Sequence, residues 1–377
     1  MYGLRKALTK RTFWGLAVKI IVTGGAGFIG SSVVRLLLFK CEAVVITVDK
    51  LTYAAANREL QVHNRHFVEV ADICNRRRLS EIFYKYEPDA VMHLAAETHV
   101  DRSIDRPDDF ITTNLVGTFN LLEAAREYWQ ELTPANKQRF RFHHVSTDEV
   151  FGSLAMEALS CSESARYQPS SPYAASKAGA DHLVRAWHRT YGLPVVITNT
   201  SNNYGPWQFP EKLIPLTILN GIEGKELPVY GEGTNVRDWL YVEDHARALI
   251  LVLQRGRIGE TYNIAGGEER CNLELVRQLC AILDEKLWHS NNRPHAQLIR
   301  FVVDRPGHDL RYALDDTKIR QQLGWVPVEP LATGLPKTVQ WYLDNPAWWE
   351  PIRRDIYRGE RLGKRPASHV QSGLVVT

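Results

Sequence analysis

Short apolar runs alternate with amphipathic stretches along the first half of the chain. Strands are predicted at Lys19–Thr23, Ala43–Asp49, His66–Val70, Ala90–Leu94, Phe140–Ser146 and Pro194–Thr198. Helices are predicted between them, notably at Gly30–Phe39, Asn114–Tyr128 and Ser176–Thr190. Strands that alternate with helices of this length are typical of βαβ units. The pattern therefore predicts an α/β fold with a Rossmann-type, doubly wound parallel sheet.

The pattern changes after Thr200. Prolines become frequent, at Pro206, Pro210, Pro215 and Pro228. Helices predicted at Val242–Gln254 and Asn272–Leu283 flank a short strand at Thr261–Ile264. We expect a smaller α/β lobe that binds substrate and closes over the edge of the sheet. The predicted organisation is a disordered basic extension (1–17), a Rossmann domain (18–204, with 238–265 returning to it), a substrate-binding lobe (205–237 and 266–350) and a tail (351–377).

Composition narrows the class of protein. At 377 residues the chain is long enough for two lobes, and 44% hydrophobic and 24% charged residues describe an ordinary globular protein. A formal net charge of +3 gives no reason to expect a nucleic-acid partner. No apolar run approaches the ~18 residues that span a bilayer, so no membrane association is expected. The five cysteines show neither a CxxC pair nor a metal-site spacing, which indicates a reducing cytoplasm and no metal.

The first 18 residues contain four basic residues and no acid. A basic, acid-free start is compatible with a transit peptide, but this one lacks the serines that such peptides usually carry. The alternatives are a disordered extension and a start codon assigned too far upstream.

A glycine-rich turn follows the first predicted strand and opens a helix. Gly24, Gly27 and Gly30 give a GxxGxxG spacing, which lets the backbone approach a pyrophosphate at the helix N-terminus. Asp49 ends the second strand 19 residues after Gly30. A carboxylate there accepts a hydrogen bond from a ribose hydroxyl and repels a 2′-phosphate. NAD is therefore expected, although Lys50 could accommodate the phosphate of NADP.

Asp72, at the end of the third predicted strand, is a candidate adenine contact. The alternative is an aspartate that caps the following helix.

Two groups of side chains later in the chain are candidates for chemistry. Tyr173 and Lys177 are four residues apart, so they share one face of a helix. An ammonium lowers the pKa of a neighbouring tyrosine from its usual ~10, which suits proton removal from an alcohol. Thr147, Asp148 and Glu149 end a predicted strand, where such sheets bind ligands. A YxxxK spacing also occurs by chance, and an acidic pair also occurs at helix starts.

His143 and His144 lie within the strand that precedes Thr147. We interpret them as packing or hydrogen-bonding residues and not as metal ligands.

Over residues 18–349 the chain resembles the dTDP-glucose 4,6-dehydratase family of extended short-chain dehydrogenases/reductases. The motifs that carry this resemblance are Thr23–Gly30, Asp49–Tyr53, Leu94–Ser103, Ser146–Glu149, Tyr173–Lys177, Ser201–Pro206, Arg237–Val242 and Asp304–His308. The Thr-Asp-Glu triplet discriminates best. Sugar epimerases of the superfamily keep the Tyr and Lys but lack the acid pair, and GDP-mannose dehydratases carry Ser in place of Asp148.

The resemblance implies an NAD-dependent hydro-lyase acting on dTDP-glucose in rhamnose-type deoxysugar biosynthesis. Tyr173, supported by Lys177, would take the proton of the 4-hydroxyl, and Thr147 would hydrogen-bond the same oxygen. Glu149 would then remove the C5 proton as base, and Asp148 would protonate the departing 6-hydroxyl as acid. This division needs two carboxyl groups in different protonation states.

The resemblance also implies two sets of binding residues. The cofactor would be bound by Gly24, Gly27, Phe28, Ile29, Gly30, Asp49, Lys50, Leu51, Thr52, Asp72, Ile73, Leu94, Ala95, Ala96, Thr98, Thr113, Tyr173, Lys177 and Asn203. The substrate would be bound by Thr98, Thr147, Asn202, Lys212, Leu213, Pro228, Val229, Tyr230, Arg237, Asn272, Asp304, Arg305 and His308. Arg237 would offer its planar fork to the diphosphate. The helices Asn114–Tyr128 and Ser176–Thr190 would pair across a homodimer as a four-helix bundle.

The chain departs from the family's pattern at three places. The stretch from Ala54 to Asn57 is one residue longer and lacks a glycine, Phe151 replaces a Tyr, and Trp207-Gln208 replaces Tyr-His. Two other functions stay open: a dehydratase or epimerase for another nucleotide sugar, and a silent dinucleotide-binding regulator.

Overall fold

The computed structural model describes residues 18–55, 63–287 and 294–362. The predicted extension (1–17), part of the Ala54–Asn57 stretch and the end of the predicted tail (363–377) lie outside these ranges.

The strands are β1 (Lys19–Thr23), β2 (Val44–Asp49), β3 (His66–Val70), β4 (Ala90–His93), β5 (Arg141–Val145), β6 (Val195–Thr200), β7 (Asn202–Tyr204), β8 (Leu227–Tyr230), β9 (Val236–Tyr241), β10 (Thr261–Ile264), β11 (Glu269–Cys271) and β12 (Ile299–Val302). The α-helices are α1 (Phe28–Lys40), α2 (Arg76–Tyr86), α3 (Val100–Asp105), α4 (Pro107–Phe110), α5 (Thr118–Glu131), α6 (Pro134–Arg139), α7 (Pro172–Tyr191), α8 (Leu213–Ile222), α9 (Val242–Arg255), α10 (Asn272–Lys286), α11 (Thr317–Leu323), α12 (Leu331–Asp344) and α13 (Pro346–Asp355).

The main sheet has seven parallel strands in the order β10-β6-β5-β4-β1-β2-β3. This order confirms the predicted Rossmann-type fold. The strands are near-continuous apolar runs because helices cover both faces of a parallel sheet. The direction of winding reverses between β1 and β4, which opens a crevice at their carboxyl ends.

Two apolar layers hold helices against this sheet. On one face Val33 and Leu37 of α1 and Leu249 of α9 are buried in one apolar layer with residues of β1, β2 and β10. On the other face Leu121 of α5 and Val184 of α7 belong to the layer that also includes α2. In the described ranges no helix combines the length and the apolar character needed to cross a membrane.

The second lobe is built around a three-stranded sheet, β11-β9-β7, and a β12-β8 pair. Because β9 pairs with β7 and β11, the return to the main sheet begins with α9 and not at residue 238. Its core joins α8, α10, α12 and α13 around Tyr342 and Trp349.

The predicted tail is wrong for residues 351–362. Helix α13 continues to Asp355, and Tyr357 is only 3% exposed. Arg353 is also buried, where it donates to Asn220 Oδ1 at 2.7 Å and pairs with Glu223. A buried ion pair and a buried aromatic ring therefore hold this segment on the second lobe.

The predicted helix Asn114–Tyr128 begins earlier and in a different form. Residues Ile111–Gly117 form a π-helical segment, which continues into α5. Asn114 in this segment donates to Ser176 Oγ of α7 at 2.9 Å and accepts from the backbone N–H of Glu97. The irregular turn thus ties α5, α7 and the loop after β4 together beside the crevice.

Candidate active site

A cavity of about 310 Å³ opens at the carboxyl ends of the main-sheet strands. All five predicted catalytic residues line it: Thr147, Asp148, Glu149, Tyr173 and Lys177. The predicted cofactor residues in its wall are Gly24, Gly27, Phe28, Ile29, Gly30, Asp49, Lys50, Thr52, Asp72, Ile73, Leu94, Ala95, Ala96, Thr98, Thr113, Tyr173, Lys177 and Asn203. Four predicted substrate residues also lie there: Thr98, Thr147, Asn202 and Lys212. The crevice at the sheet's switch point and the candidate catalytic groups therefore form one site.

The glycine-rich turn leaves room for a ligand's phosphates. Gly24 has a φ of +70°, and a Cβ there would lie 2.7 Å from the backbone nitrogen of Ala95. A Cβ on Gly30 would collide with the carbonyl oxygen of Gly24. Only glycine fits both positions, so α1 starts directly against β1 with its N–H groups facing the crevice. This cradle fits a dinucleotide pyrophosphate.

Asp49 is held by two backbone donors. Its carboxylate accepts from Leu51 N at 2.8 Å and from Ala26 N at 3.0 Å. Burial raises the pKa of Asp49, and these two N–H groups and Lys50 oppose the rise. Leu51, which is not in the cavity wall, therefore contributes through its main chain.

Lys50 forms an ion pair, which makes it a poor partner for a phosphate. Its ammonium lies 3.4 Å from the carboxylate of Glu97, which also lines the cavity. An ammonium already paired with a carboxylate is a poor partner for a 2′-phosphate, and this favours NAD.

The helix-cap alternative for Asp72 is wrong. The side chain of Asn75 caps α2 by accepting from Arg78 N at 3.1 Å. Asp72 instead accepts from Cys74 N at 2.8 Å and lines the cavity.

Tyr173 and Lys177 lie on one face of α7, but their electrostatics differ from the prediction. Burial raises the pKa of Tyr173, and the charge of Glu149 adds to the rise, while a hydrogen bond with Thr147 opposes it. Lys177 donates to the carbonyl oxygen of Val145 at 2.8 Å, and burial lowers its own pKa to about 8. The ammonium of Lys177 therefore does not offset the rise that burial causes in the pKa of Tyr173, and the phenol is neutral.

Asp148 and Glu149 occupy different environments in a 3₁₀ turn after β5. Asp148 is 3% exposed, and among the described residues its Oδ2 has no hydrogen-bond partner. Burial, together with the charge of Glu149, raises the pKa of Asp148 well above its usual range. Burial also raises the pKa of Glu149, but Arg305, Arg237 and nearby Lys212 oppose that rise. The site thus places an enclosed carboxyl group, whose pKa is strongly raised, beside a second carboxyl group whose charged form three cations stabilise.

Asp181 is a site residue that sequence reasoning missed. It is fully buried one turn after Lys177, with His144 Nε2 at 3.0 Å from Oδ1, and it accepts from Ser146 Oγ at 2.9 Å. Tyr167 also donates to it, at 2.8 Å. Burial acts to raise the pKa of Asp181, but His144 and Lys177 outweigh burial and lower it. Tyr173, Lys177 and Asp181 follow at intervals of four residues, which places them on one helix face. This spacing is the signal in the sequence that could have identified the carboxylate.

The two adjacent histidines make hydrogen bonds, as predicted. His143 Nε2 lies 3.0 Å from Thr198 Oγ1, and His144 contacts Asp181. Burial lowers their pKa values to about 3 and about 4, so both rings are neutral.

Arg237 is a buried guanidinium whose side-chain donors go to main-chain carbonyls. It donates to Val236 O at 2.7 Å and to Asp309 O at 2.9 Å, and it stacks on Tyr312 at 4.2 Å from the ring centroid. Tyr312 in turn donates to Asp309 Oδ2 at 2.5 Å and lies 3.5 Å from Glu149 Oε2. Because its hydrogen bonds are to neutral oxygens, Arg237 keeps positive charge available for an anionic ligand.

A second cluster links the two lobes through Asp101 of α3. Its carboxylate accepts from the hydroxyl of Tyr230 at 2.8 Å and pairs with Arg305 at 3.2 Å. His308 lies nearby, with its Nδ1 at 2.6 Å from Asp304 Oδ1. Asp101 was not predicted, since an acid within a short helix carries no pattern of its own.

Four other predicted substrate residues do not line the cavity. The side chains of Leu213 and Val229 pack into apolar clusters of the second lobe, and Val229 is 2% exposed. Pro228 is half-buried in β8, and Asn272 begins α10 with a buried Oδ1 that lacks a partner among the described residues. Side chains alternate between the two faces of β8, and Val229 lies on the buried face. The sequence alone does not determine which face of this strand is buried.

The cavity wall also contains residues outside the prediction: Tyr53, Glu97, Gln208 and Glu211. Glu211 is 8% exposed and pairs with Arg102 at 2.9 Å. Gln208 donates to Asn203 O at 2.9 Å. Of these, Glu211 carried a signal, since it precedes the predicted Lys212.

Comparison with known proteins gives consistent matches. A family model described as GDP-mannose 4,6 dehydratase matches residues 21–338. A dTDP-glucose 4,6-dehydratase of Neisseria meningitidis serogroup B is 57% identical over 353 residues, covering 92% of this chain and 99% of that protein. One from Escherichia coli is 56% identical over 359 residues, with the same coverage. The crystal structure of DesIV, a dTDP-glucose 4,6-dehydratase from Streptomyces venezuelae with NAD bound, superposes with a TM-score of 0.79 at 45% identity, covering 89% of this chain and 100% of that one.

Proposed function

The chain belongs to the GDP-mannose 4,6 dehydratase family, in which its relatives of 56–57% identity are dTDP-glucose 4,6-dehydratases, and on this premise we propose that it converts dTDP-glucose to dTDP-4-keto-6-deoxyglucose and water. It is an NAD-dependent hydro-lyase of deoxysugar biosynthesis. The observation that carries this function is the enclosed Asp148 beside Glu149, which Arg305 and Arg237 influence, in one cavity with Tyr173.

The cofactor would be held by this chain's glycine-rich turn and by Asp49. Bound NAD supplies a hydride acceptor for oxidation at C4 and, once reduced, a hydride donor for C6. The turn would hold the pyrophosphate, and the carboxylate of Asp49 would accept from a ribose hydroxyl. Because Lys50 pairs with Glu97, Lys50 is a poor partner for a 2′-phosphate.

Tyr173 and Thr147 would handle the proton of the sugar's 4-hydroxyl. Tyr173 takes that proton while the hydroxyl of Thr147 hydrogen-bonds the same oxygen. Because Asp148 is neutral, one of the charges that disfavour the phenolate of Tyr173 is absent. Lys177 keeps a positive charge on the same helix face, supported by the negative charge of Asp181.

The acid pair would carry out the elimination. Once C4 is a ketone, the C5 proton is acidic, and Glu149 removes it as general base. Asp148 donates its proton to the 6-hydroxyl, which leaves as water. Burial raises the pKa of Asp148 and so favours the protonated form that a general acid requires.

The second lobe would bind the nucleotide. Arg237 and Arg305 bring guanidinium forks to the diphosphate, and Lys212, Tyr230 and Asn272 surround the nucleoside. The Rossmann domain would thus hold NAD, and the second lobe the nucleotide sugar.

We also infer a homodimer and a cytoplasmic location. Ile111, Val116 and Phe119, on the π-helical segment and the start of α5, are 44%, 44% and 37% exposed. The ring of Phe119 lies 5.8 Å from that of Trp187 on α7, so the apolar surface spans both helices. An apolar surface of this kind on paired helices is typical of a subunit interface. The five free cysteines support a reducing compartment.

The direct test is turnover with a panel of nucleotide sugars. Purified protein with NAD should convert dTDP-glucose to the 4-keto-6-deoxy sugar without net formation of NADH, and should convert UDP-glucose and GDP-mannose far more slowly. Accumulation of NADH without that product would contradict the dehydratase function.

A first prediction separates the two carboxyl groups. Glu149→Gln should lower turnover by roughly 100-fold or more, since it removes the base, while C4 oxidation persists as a transient of reduced cofactor. In deuterated buffer, Glu149→Gln should block deuterium incorporation at C5, whereas Asp148→Asn should keep incorporation and lose water elimination. Exchange at C5 in Glu149→Gln at the unaltered rate would refute the assigned base.

A further inference from the structure

The C-terminal strap, residues 356–362, returns from α13 to the second lobe's ligand side. Tyr357 anchors it: its hydroxyl donates to Glu360 O at 2.9 Å, and its ring lies 6.2 Å from that of Phe209 in the loop beside the cavity. The backbone N–H of Tyr357 donates to Ile352 O at 2.8 Å, which joins the strap to α13. The strap therefore has a fixed place beside the substrate residues.

This placement brings Arg361 onto Tyr230. The guanidinium carbon of Arg361 lies 5.0 Å from the ring centroid of Tyr230, whose hydroxyl donates to Asp101. Within the described ranges, the Nε atoms of Arg361 and Arg305 are both buried without a hydrogen-bond acceptor. A buried charged donor without an acceptor is costly, so both groups are suited to an acceptor that a ligand brings.

The charges around Tyr230 point to the nature of that ligand. Burial raises the pKa of Tyr230, and the charge of Asp101 adds to this rise. Arg361 and Arg305 both lower the pKa of Tyr230. Two guanidinium groups thus face this ring, and Asp101 is the carboxylate that contacts Tyr230 and Arg305. Arg237, deeper in the lobe, adds a third cation whose hydrogen bonds go to carbonyl oxygens. Glu149 offsets part of the charge of Arg305 and Arg237, and the positive charge that remains around Tyr230 suits a phosphate ligand.

We propose that Arg361 binds the diphosphate of the nucleotide sugar together with Arg305, so that the C-terminal strap forms part of the substrate site. The proposal rests on the proposed function, which supplies the nucleotide diphosphate. An arginine fork from the strap would reach the ligand beside the ring of Tyr230. The segment that sequence patterns mark as a tail would then contribute a substrate-binding residue.

The test compares dTDP with thymidine, which lacks the phosphates, in calorimetric titrations of the full chain with NAD present. Arg361→Ala should weaken dTDP about tenfold and thymidine less than twofold, since one charge-assisted contact is lost. Arg361→Lys should fall between the two, because it keeps the charge but not the fork. Arg358→Ala is the matched control: this exposed arginine of the same strap should leave both affinities unchanged. In turnover, Arg361→Ala should raise KM for dTDP-glucose and leave kcat nearly constant.

Three results would overturn the proposal. Unchanged dTDP affinity would give Arg361 a packing role, equal weakening of dTDP and thymidine would place it on the nucleoside, and tighter binding of dTDP would mean that it occupies the ligand's place. Unchanged NAD affinity and thermal midpoint would show that each variant is folded. If the unaltered protein failed to bind dTDP, the proposed function itself would fail, whereas the three results above leave that function intact.

Discussion

At Asp148 and Glu149, two side chains adjacent in the chain meet different surroundings. The carboxyl of Asp148 is enclosed, with one oxygen unbonded among the described residues, whereas Glu149 is half-buried and faces Arg305, Arg237 and Lys212. A neutral acid and a charged base can therefore coexist within one turn of backbone. The same arrangement makes a charge on Asp148 costly for the fold, because burial and the charge of Glu149 outweigh the hydrogen bond from Thr147 and the charge of Arg237.

Replacing Asp148 should therefore stabilise the protein while impairing it. The folded-state pKa of Asp148 is raised, so its contribution to stability is fully present below the unfolded value of about 3.9 and is lost as pH rises through the folded pKa. Asp148→Asn cannot ionise, and near neutral pH it should raise the thermal midpoint by roughly 2 °C or more. The gain should shrink as pH falls toward about 4. A midpoint that drops at neutral pH would contradict a strained Asp148.

Residue identities at this site could be predicted, but their protonation states could not. The Thr-Asp-Glu triplet and the Tyr173–Lys177 spacing predicted residues that do line one cavity, because these residues are close in the chain. The expected lowering of the pKa of Tyr173 by Lys177 was wrong, since it depends on burial and on contacts that chain spacing does not determine. Asp101 and Arg361 were missed for the same reason: each acts on Tyr230 from a distant segment.

At the scale of elements, α7 arranges three titratable side chains along one buried face. Tyr173, Lys177 and Asp181 follow at intervals of four residues on its buried face, and the carboxylate of Asp181 supports the ammonium of Lys177. His144 and Ser146 of the neighbouring strand and loop hold that carboxylate in place. Under the proposed mechanism, we expect this helix to set the alkaline limit of the oxidation step.

Asp181→Asn should move that limit. Removing the negative charge lowers the pKa of Lys177 below about 8, so the ammonium is lost at lower pH, and C4 oxidation should decline about one pH unit earlier. Formation of reduced cofactor in a Glu149→Gln background isolates this step. Tyr167→Phe, which removes one donor to Asp181 but leaves its charge, serves as control and should shift the profile less. An alkaline limb that stays in place would separate Asp181 from Lys177.

Element types were predictable wherever packing agrees with local pattern. Strand β10 has the predicted bounds, and α1, α7, α9 and α10 differ from theirs by a few residues at their ends. The π-helical segment at Ile111–Gly117 was not predictable, because contacts of Asn114 with Ser176 and Glu97 determine it. The end of α13 and the strap were missed because buried Arg353 and Tyr357 look like surface residues in a sequence.

For the whole molecule, the exposed apolar surface of α5 and the π-helical segment should govern assembly. Val116→Asp places a charge on this surface and should convert a dimer to monomers, which light scattering would show as a halved mass. Leu159→Asp is the control, since Leu159 is 91% exposed elsewhere and should leave the mass unchanged. A dimer that survives Val116→Asp and Phe119→Asp would place the interface on another face.

The path of the chain between the lobes has a mechanical consequence. The backbone leaves the main sheet between β6 and β7, re-enters it from β9 to α9, and leaves it again between β10 and β11. A protease that cuts one of these connections would leave the others intact, so the nicked protein should stay in one piece. The lobes are thus joined by three connections, which should limit how far they can open. Unfolding should consequently be a single event, in which neither half outlives the other.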